Sequence, residues 1–85
     1  MSKKGVVFHC KEETLMKAIA MIIQISSHFD SSIFIEKDGR RANAKSLLGV
    51  LSLGIEQGDY LTLSAEGDDK EEALERLSLY VMADG

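Results

Sequence analysis

The sequence predicts an α+β fold, an open-faced β-sandwich in which a four-stranded, largely antiparallel sheet is covered on one face by three helices. Segments near both ends of the chain alternate apolar and polar residues like strands, and an Asp-Gly pair separates two further extended runs. Three other segments repeat apolar residues at helical spacing, which gives the order β-α-β-β-α-β-α. Residues 1–85 are expected to form a single domain, because so short a chain cannot enclose two hydrophobic cores.

The four predicted strands follow from alternation and from one turn. Strand one covers residues 6–10, where every second side chain is apolar and faces one side. Strands two and three, at 32–37 and 41–45, flank Asp38-Gly39, a strong hairpin signal because glycine supplies a positive φ. Strand four covers residues 60–65, with leucines on one face and hydroxyl-bearing residues on the other.

The three predicted helices have recognisable ends and faces. The first covers residues 14–28, and its apolar stripe is wider than one core requires. The second is short, with Ser46 as N-cap and Gly54 as stop. The third begins at Asp68 or Asp69. Its inner face should consist of Ala73, Leu74, Leu77 and Val81.

Composition excludes several classes of protein. Ten basic against fourteen acidic residues give a net charge of -4 without a basic stripe, so direct nucleic-acid binding is not expected. The longest apolar run, residues 18–23, is far shorter than the ~20 residues of a membrane span. The single cysteine cannot form an internal disulfide, and residues 1–8 lack a signal-peptide pattern, so a cytoplasmic location is expected.

No group of residues predicts catalysis, a metal site or a bound cofactor. Cys10 and His9 are neighbours in a strand and therefore point to opposite faces, so they are predicted to be a core cysteine and a surface histidine. His28 lies near the end of the first helix, where a cationic side chain suits the helix dipole. The glycines are dispersed and form no phosphate-binding loop. We therefore do not expect an enzyme.

The segment 43–55 is unusual, because its polar residues end at the hydroxyl of Ser46 and a short apolar helix is predicted to begin there. In the simpler interpretation Ser46 only caps this helix, worth about 1 kcal/mol, and the leucines are core. In the functional interpretation Leu47, Leu48 and Leu51 lie on adjacent turns of so short a helix that at least one stays exposed. An exposed leucine beside a phosphorylatable serine would form a docking surface. The residues alone leave both interpretations open.

This segment resembles the serine-phosphorylation region of the HPr family, the small phosphocarriers of the bacterial sugar phosphotransferase system and their regulatory relatives in catabolite repression. The resemblance extends to residues 33–36, to Asp38-Gly39, and to residues 61–67 and 71–77, so it covers nearly the whole chain. The predicted element order also agrees with the HPr-like fold that the resemblance implies.

The resemblance also identifies a missing residue. In the phosphocarriers a Gly-(Ile/Leu)-His-Ala-Arg-Pro-Ala motif opens the first helix and carries phosphate on its histidine. Here Leu15 stands at the histidine position, Lys17 replaces the arginine and Ala18 replaces the proline. An aliphatic side chain has no lone pair to attack phosphorus, so phosphocarrier transfer through this position is not expected.

The resemblance therefore implies a regulatory protein of carbon catabolite control. It would be phosphorylated on Ser46 by HPr kinase/phosphorylase and would then bind a LacI-type catabolite repressor as corepressor. The implied partner-binding residues are Leu15, Lys17, Leu47, Leu48 and Leu51. The alternative is a constitutive interaction or oligomerisation module in which Ser46 is only an N-cap. A homodimer is expected in either case, because an N-terminal edge strand and an apolar patch favour pairing or strand exchange.

Overall fold

The computed structural model describes residues 1–10 and 15–82. It contains four strands and three helices in the predicted order. The strands are β1 (Ser2–Val7), β2 (Ser32–Lys37), β3 (Arg40–Asn43) and β4 (Tyr60–Glu66). The helices are α1 (Leu15–Ser27), α2 (Leu47–Ser52) and α3 (Lys70–Met82). The predicted α+β architecture is confirmed.

The four strands form one antiparallel sheet in the order β1-β4-β2-β3, which leaves β1 and β3 at its edges. The register places Val6 opposite Leu61, and Ile35 between Leu63 and Ala42. All five side chains are buried, because their shared face is covered by the helices. The opposite face of the sheet is open and largely polar.

The helices supply the other half of the core. The four residues predicted for the inner face of α3 are all buried, and so are Ala18, Ile19 and Ile22 of α1. Helix α1 contacts both α2 and α3, so the three helices form one layer. Among the described residues no helix is long and apolar enough to cross a membrane.

The hairpin between β2 and β3 forms as predicted. Asp38 and Gly39 have φ values of 51° and 79°, so both central residues adopt the left-handed conformation of a turn that matches the strand twist. Glycine enters this region without steric cost, and aspartate is one of the few other residues that tolerate it. The turn brings Lys37 and Arg40 together beside the end of α2.

The predicted bounds of β1 were wrong. The strand covers Ser2–Val7 rather than residues 6–10, because its ladder with β4 runs from Ser2 opposite Ala65 to Val7 opposite Tyr60. Pairing with a central strand outweighs the polarity of the first residues. Beyond the strand, the Phe8 amide donates to the Asp59 carbonyl at 2.8 Å. The Phe8 side chain still enters the core.

One other end differs from expectation, and the start of α3 agrees with it in position. Strand β3 ends at Asn43 because its side-chain oxygen accepts the Lys45 amide at 2.8 Å, which turns the chain toward α2. Helix α3 follows Asp69, but the Asp69 carboxylate accepts the amides of Asp30 and Ser31, at 3.0 and 2.9 Å, rather than capping its own helix. Residue 14, the predicted start of the first helix, lies outside the described residues.

Candidate functional site

Ser46 is the N-cap of α2, as predicted. Its backbone is extended, with φ -108° and ψ 118°, and its Oγ accepts the Gly49 amide at 3.1 Å. Its carbonyl accepts the Val50 amide at 3.0 Å and so begins the helical hydrogen bonding. The Ser46 residue as a whole is half-buried. The cap therefore stabilises the helix by about 1 kcal/mol.

The turn before α2 fixes where this hydroxyl lies. The Asn43 carbonyl accepts the Ser46 amide at 3.0 Å, while the Ala44 amide donates to Ile33 of the neighbouring strand at 2.9 Å. The Lys45 ammonium donates to the Phe29 carbonyl at 2.7 Å, which ties the residue before Ser46 to the segment that follows α1. Backbone hydrogen bonds thus connect β2, the turn after β3 and the start of α2 around Ser46.

Helix α2 exposes the leucines that the sequence singled out. Leu48 is 80% exposed, Leu47 48% and Leu51 39%, whereas Val50 is fully buried. The expectation that at least one of the three leucines stays exposed is confirmed. One side of α2 therefore anchors the helix and the other presents apolar surface to solvent.

Gly49 lets α2 lie close to β3. A β-carbon at this position would come within 3.3 Å of the Ser46 Oγ and 3.5 Å of the Ala42 Cβ. The absence of a side chain thus leaves room for the Ser46 cap and for the contact between helix and strand.

A cluster of three charged residues that the sequence did not single out lies at the C-terminal end of α2. Two of them donate to backbone carbonyls there, and the third pairs with one of these two. Arg40 Nη2 donates to the Leu53 carbonyl at 3.2 Å, and Lys37 Nζ donates to the Gly54 carbonyl at 2.6 Å. Lys37 Nζ also lies 2.7 Å from Asp59 Oδ2. The hydrogen bond from Lys37, with a second from the Glu56 amide, lowers the pKa of Asp59 below its usual value.

No local pattern could have identified this cluster, because Lys37 and Gly54 are 17 positions apart and meet only in the folded sheet. The hairpin signal does place two basic residues on either side of a turn. It does not predict that this turn reaches the end of α2.

Leu15 and Lys17 lie in the first turn of α1. Leu15 is half-buried and packs against the core, while Lys17 and Met16 are exposed. Helix α1 contacts α2, so both segments of the proposed docking surface belong to the same helical layer. Leu15 is therefore partly a core residue, and Lys17 and Met16 offer more accessible surface.

Neither histidine lies within α1. His28 follows the end of α1, about 20 Å along the helix from Leu15 at 1.5 Å per residue. Its Nδ1 lies 3.3 Å from the Gln24 carbonyl. His9 is exposed, and its Nδ1 lies 3.4 Å from Gln57 Nε2.

Cys10 was predicted to be a core cysteine. It is half-buried and packs against the core. Burial raises the pKa of the Tyr80 phenol, and the neighbouring Cys10 adds to that rise. Across residues 1–10 and 15–82 there is no group of three or more metal-ligating side chains.

Comparison with known proteins agrees with this geometry. The family model described as the PTS HPr component phosphorylation site matches residues 3–83. The HPr-like protein Crh of Bacillus subtilis is 40% identical over 81 residues, which is 95% of either chain. Members of this family are phosphocarrier or regulatory proteins rather than enzymes, and the same holds for this chain.

Two solved structures show the same fold. HPr-C-His from Thermoanaerobacter tengcongensis has a TM-score of 0.91 at 40% identity, with 95% of this chain and 91% of that chain covered. Bacillus subtilis Crh, described as a swapped dimer, has a TM-score of 0.75 at 37% identity, with 93% and 86% covered. With the fold, the order of elements and nearly the full length in agreement, the chain belongs to the HPr family.

Proposed function

We propose that this chain is a non-catalytic, HPr-like regulator of carbon catabolite control, phosphorylated on Ser46 by HPr kinase/phosphorylase. In its phosphorylated form it binds a LacI-type catabolite repressor as corepressor, in the cytoplasm. The observation that carries the proposal is the juxtaposition of Ser46, at the start of α2, with three exposed leucines on the same short helix.

A phosphate on Ser46 adds a charge of about -1.5 to -2 beside a helix start. The first amides of a helix and its dipole favour an anion there, so little rearrangement of α2 is needed. Phosphorylation thus changes the charge offered to basic residues of the partner, while Leu47, Leu48 and Leu51 supply apolar contact.

The proposal includes the loss of phosphocarrier activity. Leu15 cannot accept a phosphoryl group, and neither His9 nor His28 lies at the start of α1. In place of a phosphoryl acceptor, Leu15 contributes the exposed part of its apolar side chain at the start of α1, and Lys17 contributes a cation for contact with the repressor. The proposal thus excludes phosphorylation on a histidine at the start of α1 and retains phosphorylation on Ser46.

A second candidate is a constitutive oligomerisation module in which Ser46 acts only as a cap. Two observations favour it: Ser46 already forms the cap hydrogen bond, and β1 is an edge strand that can pair with or exchange into a second copy. The swapped dimer of Bacillus subtilis Crh is a precedent among relatives. A homodimer is compatible with both candidates.

The test is phosphorylation by purified HPr kinase with ATP, followed by mass spectrometry. We expect one phosphate, absent in Ser46→Ala and retained in Ser52→Ala, a matched serine exposed at the other end of α2. The phosphoryl donor that phosphorylates the histidine of the family's carrier proteins should leave this protein unphosphorylated. Wild-type protein that gains no phosphate on Ser46 would defeat the proposal. Equal repressor binding before and after phosphorylation would favour the second candidate.

A further inference from the structure

The C-terminal end of α2 is held by the β2–β3 hairpin. Arg40 and Lys37 donate to the carbonyls of Leu53 and Gly54, at 3.2 and 2.6 Å. Carbonyls at the end of a helix have no partner within the helix, and the dipole makes this end negative. Leu53 is the C-cap of α2 and Gly54 follows it, so two cationic donors from a neighbouring turn bind carbonyls at this negative end and directly beyond it.

So short a helix needs such support. Six residues are too few to form a stable helix in water on their own. The buried anchors are Val50 within α2 and Leu53 at its end. Ser46 secures only the first turn. The contacts of Lys37 and Arg40 add to these anchors at the last turn, which carries the exposed Leu51.

Asp59 fixes Lys37 in turn. Its Oδ2 lies 2.7 Å from Lys37 Nζ and accepts the Glu56 amide at 2.7 Å. The Asp59 carbonyl accepts the Phe8 amide at 2.8 Å, directly beyond β1. Lys37 is thus held between α2 and the start of β4, and its side chain is only 14% exposed. An ammonium held in this way acts as a structural tie rather than as a mobile surface charge.

We propose that Lys37, supported by Arg40 and Asp59, is a positioning residue for partner docking: it fixes the last turn of α2 and with it the orientation of Leu47, Leu48 and Leu51. The inference rests on the proposed function, because it assigns a role in the same docking surface. Lys37 contacts no partner itself. Its effect on affinity passes through the fraction of molecules in which α2 is correctly placed.

The test compares Lys37→Met with the conservative Lys37→Arg, and with Asp69→Asn as a control for stability. Asp69 ties Asp30 and Ser31 to the start of α3 and makes none of the contacts at the end of α2. Amide hydrogen exchange of Val50, Leu53 and Gly54 reports opening of α2, and repressor titration of the phosphorylated proteins reports docking. Mass spectrometry confirms equal phosphorylation, and urea unfolding gives global stability. Arg40→Met serves as a second variant.

We expect Lys37→Met to accelerate exchange of the three α2 amides about tenfold and to weaken repressor binding about three- to tenfold, and Lys37→Arg to restore both. Asp69→Asn should lower global stability without a selective effect on α2. Unchanged α2 exchange in both Lys37→Met and Arg40→Met would overturn the inference. An affinity loss in Asp69→Asn equal to that in Lys37→Met would overturn it as well. If phosphorylated wild-type protein fails to bind the repressor, the proposed function fails and α2 exchange alone decides the positioning role.

Discussion

Leu48 and Val50 lie two residues apart in α2 and allow binding to be separated from folding. Leu48 is 80% exposed, so Leu48→Ala removes almost no buried surface and should change the free energy of unfolding by less than about 0.5 kcal/mol. Val50 is fully buried, so Val50→Ala should lower that free energy by about 2 kcal/mol. For a domain of this size, this corresponds to a fall in Tm of roughly 8–16 °C.

The effect on binding should be the reverse. Burying a leucine side chain in a partner pocket contributes about 1.5–3 kcal/mol, and most of the Leu48 side chain is available for burial. Leu48→Ala should therefore raise the Kd of the phosphorylated protein for the repressor by roughly 10- to 100-fold. Urea unfolding and titration calorimetry provide the two measurements. A Leu48→Ala variant that is destabilised by 2 kcal/mol, or that binds like wild type, would refute this account of α2.

Three further predictions concern stability. Ser46→Ala should lower the free energy of unfolding by about 1 kcal/mol through loss of the cap hydrogen bond. Ser46→Asp should recover most of this loss in urea unfolding, since aspartate is also a good N-cap. Equal stability of all three proteins would contradict the role of the cap. Hydrogen bonds from Ser31 and from backbone amides lower the pKa of Asp69 in the folded protein. As the pH falls, the unfolded chain therefore binds a proton at this residue first, and the stabilisation that Asp69 provides above pH ~4 is lost as the pH drops through the lowered folded value. The urea midpoint of Asp69→Asn should consequently fall less steeply with acid than that of wild type. Gly67→Ala should destabilise the fold, because residue 67 has a φ of 145° and a β-carbon there would lie 2.8 Å from the Ser31 Cα. Gly58→Ala should lower the Tm less, because a β-carbon at residue 58 would meet open space. The reverse order of Tm values would contradict this geometry.

Local patterns predicted the parts of the fold that depend on local physics. The Asp38-Gly39 turn, the Ser46 cap and the buried face of α3 depend on residues close together in sequence, and all three are present. The bounds of β1 were wrong because its ladder with β4, 53 or more positions away, outweighs the apolar alternation. Such pairing has no local signature.

The same distinction applies to the site. Ser46 and the exposed leucines could be identified from sequence, because a cap followed by a short apolar helix leaves some leucines exposed. The charged cluster at the other end of α2 could not, since Lys37, Gly54 and Asp59 come from three segments that only the sheet brings together. Leu15 was expected at the docking surface and is half-buried, because α1 turns part of its first turn toward the core.

The change in repressor affinity on phosphorylation of Ser46 tests the central claim most directly. Titration calorimetry of one repressor preparation with unmodified, phosphorylated and Ser46→Ala protein gives the required Kd values. Charge-assisted hydrogen bonds contribute about 1.5–3 kcal/mol each, so one or two such bonds to the phosphate should tighten binding by at least tenfold. Ser46→Ala treated with the kinase should bind like unmodified protein. The same Kd for phosphorylated and unmodified protein would contradict the serine switch.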